Sequence, residues 1–529
     1  MKKALPRYLS LLLAAALLLA VCAPMALAAD RTPVINIEGE KTIDVWNEDG
    51  THYAPTESAA DAVVDDAVQE LVPLFIKAVL TNDYTEWSRR ALEKLTPIYD
   101  DIRPDPDGSL PENTHPWYGD SGHAGVTAVP APEQVNYYYS YAWDFRRSPL
   151  DEAEDLHSYI ALVKAKTGAS KVVIVSRCGS TSLAAAYLYK YGTADIEKLI
   201  FACSTLPGVS YVDEILSGNV YISGDALYNR VSYREDLSSL NKNLRKFLSA
   251  LLYAMAENGG MDDANGIIND AYGKIKDSFV APFLRSYYGI CGNYVATVGS
   301  RYDAYRDYIF PTAELKAEYA AILAKTDEYH YNVQAKIREL LTAAAEDGVS
   351  VNFIVTYGEP TDWPIGENSS RVGDELMDAT SQSLGATTVN YGETLPDAYV
   401  AAREAQGLGG FISPDRQIDA STCLFPETTW FIKNMRHNFF LNDLHDFIRM
   451  IAWTDDFTVD SNPDRPRFLT VVGNHAGLAP AAAVNENDLD PNVNQPEMRS
   501  VGGFFARIIA FYTRLLARLF NFFNQFRIR

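Results

Sequence analysis

Cysteine is scarce in this chain, and positive charge is outnumbered. Five cysteines among 529 residues are too few to form the disulfide framework that holds small exported domains together. Neither a His-Glu-x-x-His run nor paired Cys-x-x-Cys is present, and no glycine-rich loop is set to cradle a phosphate. The expectation is a protein with no metal and no cofactor. Lys and Arg total 46 against 69 Asp and Glu, a net charge of −23, which argues against nucleic acid as a partner and for a soluble body. No internal repeat is visible, which sets aside stacked-repeat architectures.

What is present begins with Lys2, Lys3 and Arg7, an apolar run from Leu9 through Val21, and then Ala26-Leu27-Ala28. Charge, short apolar stretch and A-x-A in that order read as a signal peptide over residues 1–28. That predicts a mature chain starting near Ala29 or Asp30, secreted or held on the extracellular face of the membrane. A retained membrane anchor is the alternative. Cys22 would leave with the signal, so Cys178, Cys203, Cys291 and Cys423 remain. An even count permits disulfides, and a free thiol is equally compatible with a chain this large.

Along the rest of the chain, Pro33 to Gly39 reads as a buried strand, and Asp61 to Tyr99 has helical apolar spacing through Val64, Leu71, Leu74, Phe75 and Val79. Asp100 to Pro132 reads as a long loop. A strand at Val135–Tyr141 and an amphipathic helix at Leu150–Thr167 follow. Next come a β-branched run at Lys171–Val175, a helix at Thr181–Tyr191 and a strand at Ile196–Ala202. Alternating strands and helices with short connections predict a mostly parallel sheet covered by helices, an α/β fold. From Ser210 to Asp347 the pattern is helical. Strands return at Val351–Val355 and Thr428–Lys433. The predicted organisation is a core over 30–209 and 349–455, a helical cap inserted at 210–348, an extended linker or covering segment at 456–498, and a separate tail at 499–529.

The turn Ser176-Arg177-Cys178-Gly179-Ser180-Thr181 carries the chemistry. It joins a short strand to a helix and has small residues two places either side of Cys178, as a nucleophile elbow requires. The helix N-terminus favours an anion at that position, and Arg177 adds to the effect. The bland alternatives for Cys178 are a small buried apolar residue or one half of a disulfide with Cys203.

From Trp143-Asp144-Phe145-Arg146-Arg147-Ser148-Pro149-Leu150 through Asp155-Leu156 to the elbow, the chain resembles bacterial lipases and the lecithin:cholesterol acyltransferase-like α/β-hydrolases. The resemblance implies an α/β-hydrolase fold with a helical cap and puts Cys178 where that family has its serine. It also implies an oxyanion hole from the backbone N–H groups of Gly179 and Glu40. The family's order of nucleophile, acid and histidine then points to Asp374 in Val372-Gly373-Asp374-Glu375, with Asp378 in reserve. It points to His437 in Arg436-His437-Asn438 as the base, with His475 as competitor. His123, His157, His330 and His445 read as surface or packing residues. The chain departs from the family pattern in three ways: cysteine for serine, Ser176 and Ser180 for the elbow glycines, and Glu38 and Glu40 in the oxyanion turn, where a carboxylate opposes the developing charge.

Those departures leave two expectations. One is a thiol hydrolase or acyltransferase that acts on an ester, with a lipid acyl group among its possible substrates. The other is a catalytically inactive hydrolase frame that works as a secreted or cell-surface binding protein. From Arg499 onward the chain has arginines and no acidic residue. Between Phe504 and Phe523, Arg507, Arg514 and Arg518 fall, with Asn521 and Gln525, on one stripe of an otherwise apolar helix. That pattern predicts an amphipathic helix lying on a membrane surface; the alternative is a helix that covers its own core or mediates self-association.

Overall fold

The computed structural model describes residues 31–37, 44–47, 57–112, 114–117, 138–221, 260–361, 371–437, 442–472 and 477–483. The expected signal peptide, Glu38 and Glu40, His123, His475 and the C-terminal helix lie outside the described residues. Eight strands form the main sheet: β1 (Val34–Ile37), β2 (Tyr138–Tyr141), β3 (Val172–Cys178), β4 (Ile196–Ser204), β5 (Ser350–Tyr357), β6 (Thr429–Lys433), β7 (Phe468–Val472) and β8 (Gly477–Pro480). Their spatial order is β8-β7-β6-β5-β4-β3-β1-β2. Every pairing is parallel except β7 with β8.

Strand alternation assigns each side chain to a layer. In β3, Val172 and Ile174 join Ile35, Ile37, Leu199, Phe201 and Phe353 on one face. Val173 and Val175 join Val34, Ile200, Ile354, Trp430 and Ile432 on the other. Both faces are buried, which is why these strands read as continuous apolar runs.

Helices α1 (Pro149–Thr167) and α2 (Ser180–Tyr191) cover the first face. The sequence of α1 sets both its ends. The Ser148 hydroxyl accepts a hydrogen bond from Leu150 N, Pro149 occupies the first turn, and Gly168 ends the helix at φ 73°. Asp151 and Glu152 lie at the start and Lys164 and Lys166 at the end, which complements the helix dipole. Leu156, Ile160 and Val163 are fully buried, each stabilising by about 1.5–3 kcal/mol. Leu156→Ala would therefore cost about 2–5 kcal/mol. Helix α3 (Asn442–Trp453) buries Leu444, Phe447, Ile448 and Ile451 against the second face.

Three expectations are corrected. The stretch 100–132, read as a long loop, holds the strand Thr114–Trp117, which pairs antiparallel with Asp44–Asn47. The helical stretch 61–99 is broken into Glu57–Thr81, Thr85–Leu95 and a 3-10 turn at Thr96–Tyr99. Asn82 takes φ 55°, a conformation asparagine tolerates, and Asp83 Oδ1 accepts from Thr85 N at 3.0 Å to start the next helix. The segment read as a linker over 456–498 contains β7 and β8, so the sheet continues past α3. Strands of five and four residues are too short to show a period.

Between β4 and β5 the described chain is helical, from Ser210–Leu216 and Gly260–Ile275 to Ile337–Glu346. Its tyrosines serve packing: Tyr287, Tyr302 and Tyr305 are buried, and Tyr287 stacks on Tyr99 with ring centroids 5.3 Å apart. Among the described residues no helix is long and apolar enough to cross a membrane.

Candidate active site

Three strand ends meet at one edge of the sheet. Cys178 ends β3 and takes φ 52°, a left-handed conformation that costs a non-glycine residue about 1–3 kcal/mol. Neighbouring hydroxyls hold it there. Thr181 Oγ1 and Thr205 Oγ1 both donate to the Cys178 carbonyl, at 2.7 and 3.0 Å. Ser180 Oγ donates to Arg177 O at 2.7 Å and accepts from Arg177 N at 3.0 Å. The serine in place of the second elbow glycine thus staples the turn. Ser176 is buried, and its hydroxyl has no partner among the described residues. Gly179 caps α2, the 12-residue helix that starts at Ser180.

Asp374 lies on the loop after β5, in a turn so tight that a Cβ on Gly373 would meet Met377 O at 2.1 Å. The carboxylate is fully buried and accepts four hydrogen bonds. Leu376 N and Met377 N donate to Oδ1 at 3.1 and 2.8 Å. Thr356 Oγ1 and His437 Nδ1 reach Oδ2 at 2.8 and 2.9 Å. The backbone repeats the tie, with His437 N donating to Asp374 O at 3.0 Å.

His437 follows β6 and is buried. Burial works against its charged form. The Cys178 thiol and the Asp374 carboxylate, through charge and through hydrogen bonds to both, nevertheless hold its pKa well above the ordinary histidine value. The imidazole is therefore oriented by Asp374 and acted on electrostatically by Cys178. The structure brings together the three residues singled out by sequence.

The reserve acid serves elsewhere. Asp378 caps the short helix Ala379–Gln382 and accepts from Ser210 Oγ at 2.9 Å. His157 stacks on Tyr191 and His330 on Tyr302, each with centroids 4.0 Å apart. His445 lies partly exposed on α3. All four cysteines of the described chain are free, so the expected alternative of a Cys178–Cys203 disulfide is not formed.

Sequence reasoning missed Thr356 and Thr205, and read Cys203 only as a disulfide alternative for Cys178. Thr356, at the end of β5, links Asp374 to Cys203: its Oγ1 lies 3.2 Å from Cys203 Sγ. Cys203 is buried in the β4 bulge at φ 48°, because Arg177 pairs with Ala202 while Cys178 pairs with Ser204. Burial above all, then the nearby Asp374 carboxylate, pushes its thiol up to about 12. Thr181 and Thr205 complete the group. The available signal was position, since side chains at the carboxyl ends of parallel strands converge on the site in sheets of this kind.

Donor atoms of Cys203, Asp374 and His437 lie within 4.8 Å of one another. Both carboxylate oxygens are already committed to four donors, and the Cys203 sulfur is engaged with Thr356 Oγ1. The set is a hydrogen-bond network rather than a prepared cation cage.

The strand order, the left-handed cysteine at the strand–helix turn, and the acid and histidine after successive strands define an α/β-hydrolase fold. No family model and no curated protein matches the chain. Among solved structures, the crystal structure of the Tle4-Tli4 complex matches at a TM-score of 0.24 and 10% identity, covering 67% of this chain and 89% of that one. A likeness this low says nothing about activity.

Proposed function

We propose that the protein is a thiol-dependent hydrolase or acyltransferase acting on esters, lipid acyl groups among them. What carries this reading is the buried Asp374 carboxylate 2.9 Å from His437 Nδ1, with Cys178, left-handed at the end of β3, among the groups that raise the imidazole's pKa.

His437 holds the thiol proton as imidazolium, and Asp374 fixes the tautomer and supports the charge. The Cys178 sulfur attacks the ester carbonyl carbon, and the C–O bond to the alcohol breaks. The alcohol leaves with the proton from His437, and a thioester remains on Cys178. Water, or an acceptor alcohol, then gives its proton to His437 and attacks the thioester. That step releases the acid or a new ester and restores the thiol. The oxyanion would be met by the backbone N–H of Gly179 at the head of α2; the second donor in this reading, Glu40, lies outside the described residues.

The proposal includes export and a membrane surface met by the C-terminal helix. Only the sequence pattern supports those two parts.

The test is turnover of a panel of chromogenic esters of graded chain length. Turnover that disappears in Cys178→Ala and His437→Ala supports the reading. An unreactive Cys178 would favour the inactive binding frame instead.

A further inference from the structure

Two thiols lie against one imidazole. Cys178 acts electrostatically on His437, and Cys203 Sγ lies within 4.8 Å of a His437 ring nitrogen and an Asp374 oxygen. The two cysteines differ in access, Cys178 being partly exposed and Cys203 buried. Between them the β3–β4 register slips. Cys178 is paired with Ser204 and Arg177 with Ala202, so Cys203 is the extra residue of the neighbouring strand, adjacent in sequence to the partner of Cys178. Adjacent strands run about 4.8 Å apart, inside the Cα separations of about 4.4–6.8 Å that a disulfide spans. Both residues are in the left-handed conformation. The other two cysteines are not in this group: both are buried, and Cys291 donates to Phe145 O at 3.1 Å.

We propose that Cys178 and Cys203 form a peroxide-oxidisable pair, Cys178 being the attacked thiol and Cys203 the resolving one, and that their disulfide silences the site. The proposal rests on Cys178 being the reactive thiol. The Cys178 thiolate attacks one oxygen of a hydroperoxide, the O–O bond breaks, and the departing oxygen leaves as water or alcohol after taking a proton. Sulfur is oxidised to sulfenic acid and the peroxide is reduced. His437 then takes the proton of Cys203. The new thiolate attacks the Cys178 sulfur, an S–S bond forms, the S–O bond breaks, and the hydroxide leaves as water with the proton from His437. The only outside reactant is the hydroperoxide. The resolving step is intramolecular, so it outruns further oxidation of the sulfenic acid. To reach Cys178, Cys203 must leave Thr356, and the network that orients Asp374 loosens as the nucleophile is lost.

The experiment exposes the full-length protein to a several-fold molar excess of hydrogen peroxide and follows it by peptide mass mapping and alkylation of Cys178. Acylation of Cys178 by an activated ester is measured in parallel on untreated protein. The expected product is a cross-linked peptide pair, Cys178 to Cys203, lighter by two hydrogens. Alkylation of Cys178 is lost and returns with dithiothreitol. In Cys203→Ser the same dose leaves Cys178 as sulfinic acid, which dithiothreitol does not restore. Cys203→Ala gives the same readout should serine unfold this buried position. Sulfinic acid on wild-type Cys178 with Cys203 still reduced would overturn the proposal, even where acylation succeeds. A cross-link without any acylation would leave the pair standing and remove the esterase reading.

Discussion

Arg436 Nε pairs with Glu375 Oε1 at 3.0 Å, one residue before His437 and one residue after Asp374. The loops that carry His437 and Asp374 are therefore joined three times: by this ion pair, by the imidazole–carboxylate bond at 2.9 Å and by His437 N to Asp374 O at 3.0 Å. Glu359 stands 3.6 Å from the same guanidinium, and Glu375 takes φ 82°, so the pair also holds a strained turn in place. In the proposed reaction Arg436 would act as a positioning residue. Arg436→Gln should slow acylation of Cys178 by about tenfold or more, since small misplacements of reacting groups are costly. KM should change little, and Arg436→Lys should recover part of the rate. Steady-state kinetics of the two variants checks this; an unchanged kcat in Arg436→Gln would contradict it.

Asp374 has two separable duties. Its Oδ1 satisfies the Leu376 and Met377 amides, and its Oδ2 orients His437. Asp374→Ala should cost at least about 2 kcal/mol of stability, because it strands buried amides. Asp374→Asn keeps an acceptor for those amides, so it should fold and lose activity. That loss should be smaller than the loss in His437→Ala, because a thiolate needs less base help than an alkoxide. Denaturant melts beside turnover assays separate the two duties.

The raised pKa of His437 sets a pH dependence of stability. A group whose folded pKa lies above its unfolded value of 6.5 contributes stability that is fully present below that value. The contribution is lost as pH rises through the folded pKa. The difference in melting temperature between wild type and His437→Gln should therefore narrow as pH rises above 6.5. A difference that grows over that range would mean the imidazolium is not held.

The basic tail should supply the attraction to membranes in an otherwise acidic protein. Co-sedimentation with anionic vesicles should fall several-fold for a version ending at Arg499, and neutral vesicles should bind both versions weakly. Equal binding by the two versions would remove the tail from the proposal.

Cys178 was legible because an elbow is local: a β-branched strand, small flanking residues and a helix start fall within a few positions. Asp374 and His437 were reached through chain order and the family resemblance, each being named relative to a strand that apolar runs reveal. Thr356 and Thr205 were hidden because their roles depend on register, and Cys203 was legible only as a disulfide partner for Cys178. The distance from Thr356 to Cys203 spans 153 positions and exists only once β4 and β5 are paired. The bulge at Cys203 follows from the same pairing. Strands β7 and β8 escaped because the Asn-, Asp- and Pro-rich sequence around them reads as loop, and their short apolar runs show no period. The clamp between Arg436 and Glu375 escaped for a different reason, since charged residues in loops usually read as solvated surface.

The triad assignment is tested most directly by trapping the acyl intermediate. The protein is mixed with an excess of a p-nitrophenyl ester, quenched in acid during the first turnover and mapped by peptide mass spectrometry. The expected result is the acyl mass on the peptide that contains Cys178, removable by neutral hydroxylamine as a thioester is, and absent from Cys178→Ala. The acyl group on any other residue, or ester turnover that persists in Cys178→Ala, would contradict it.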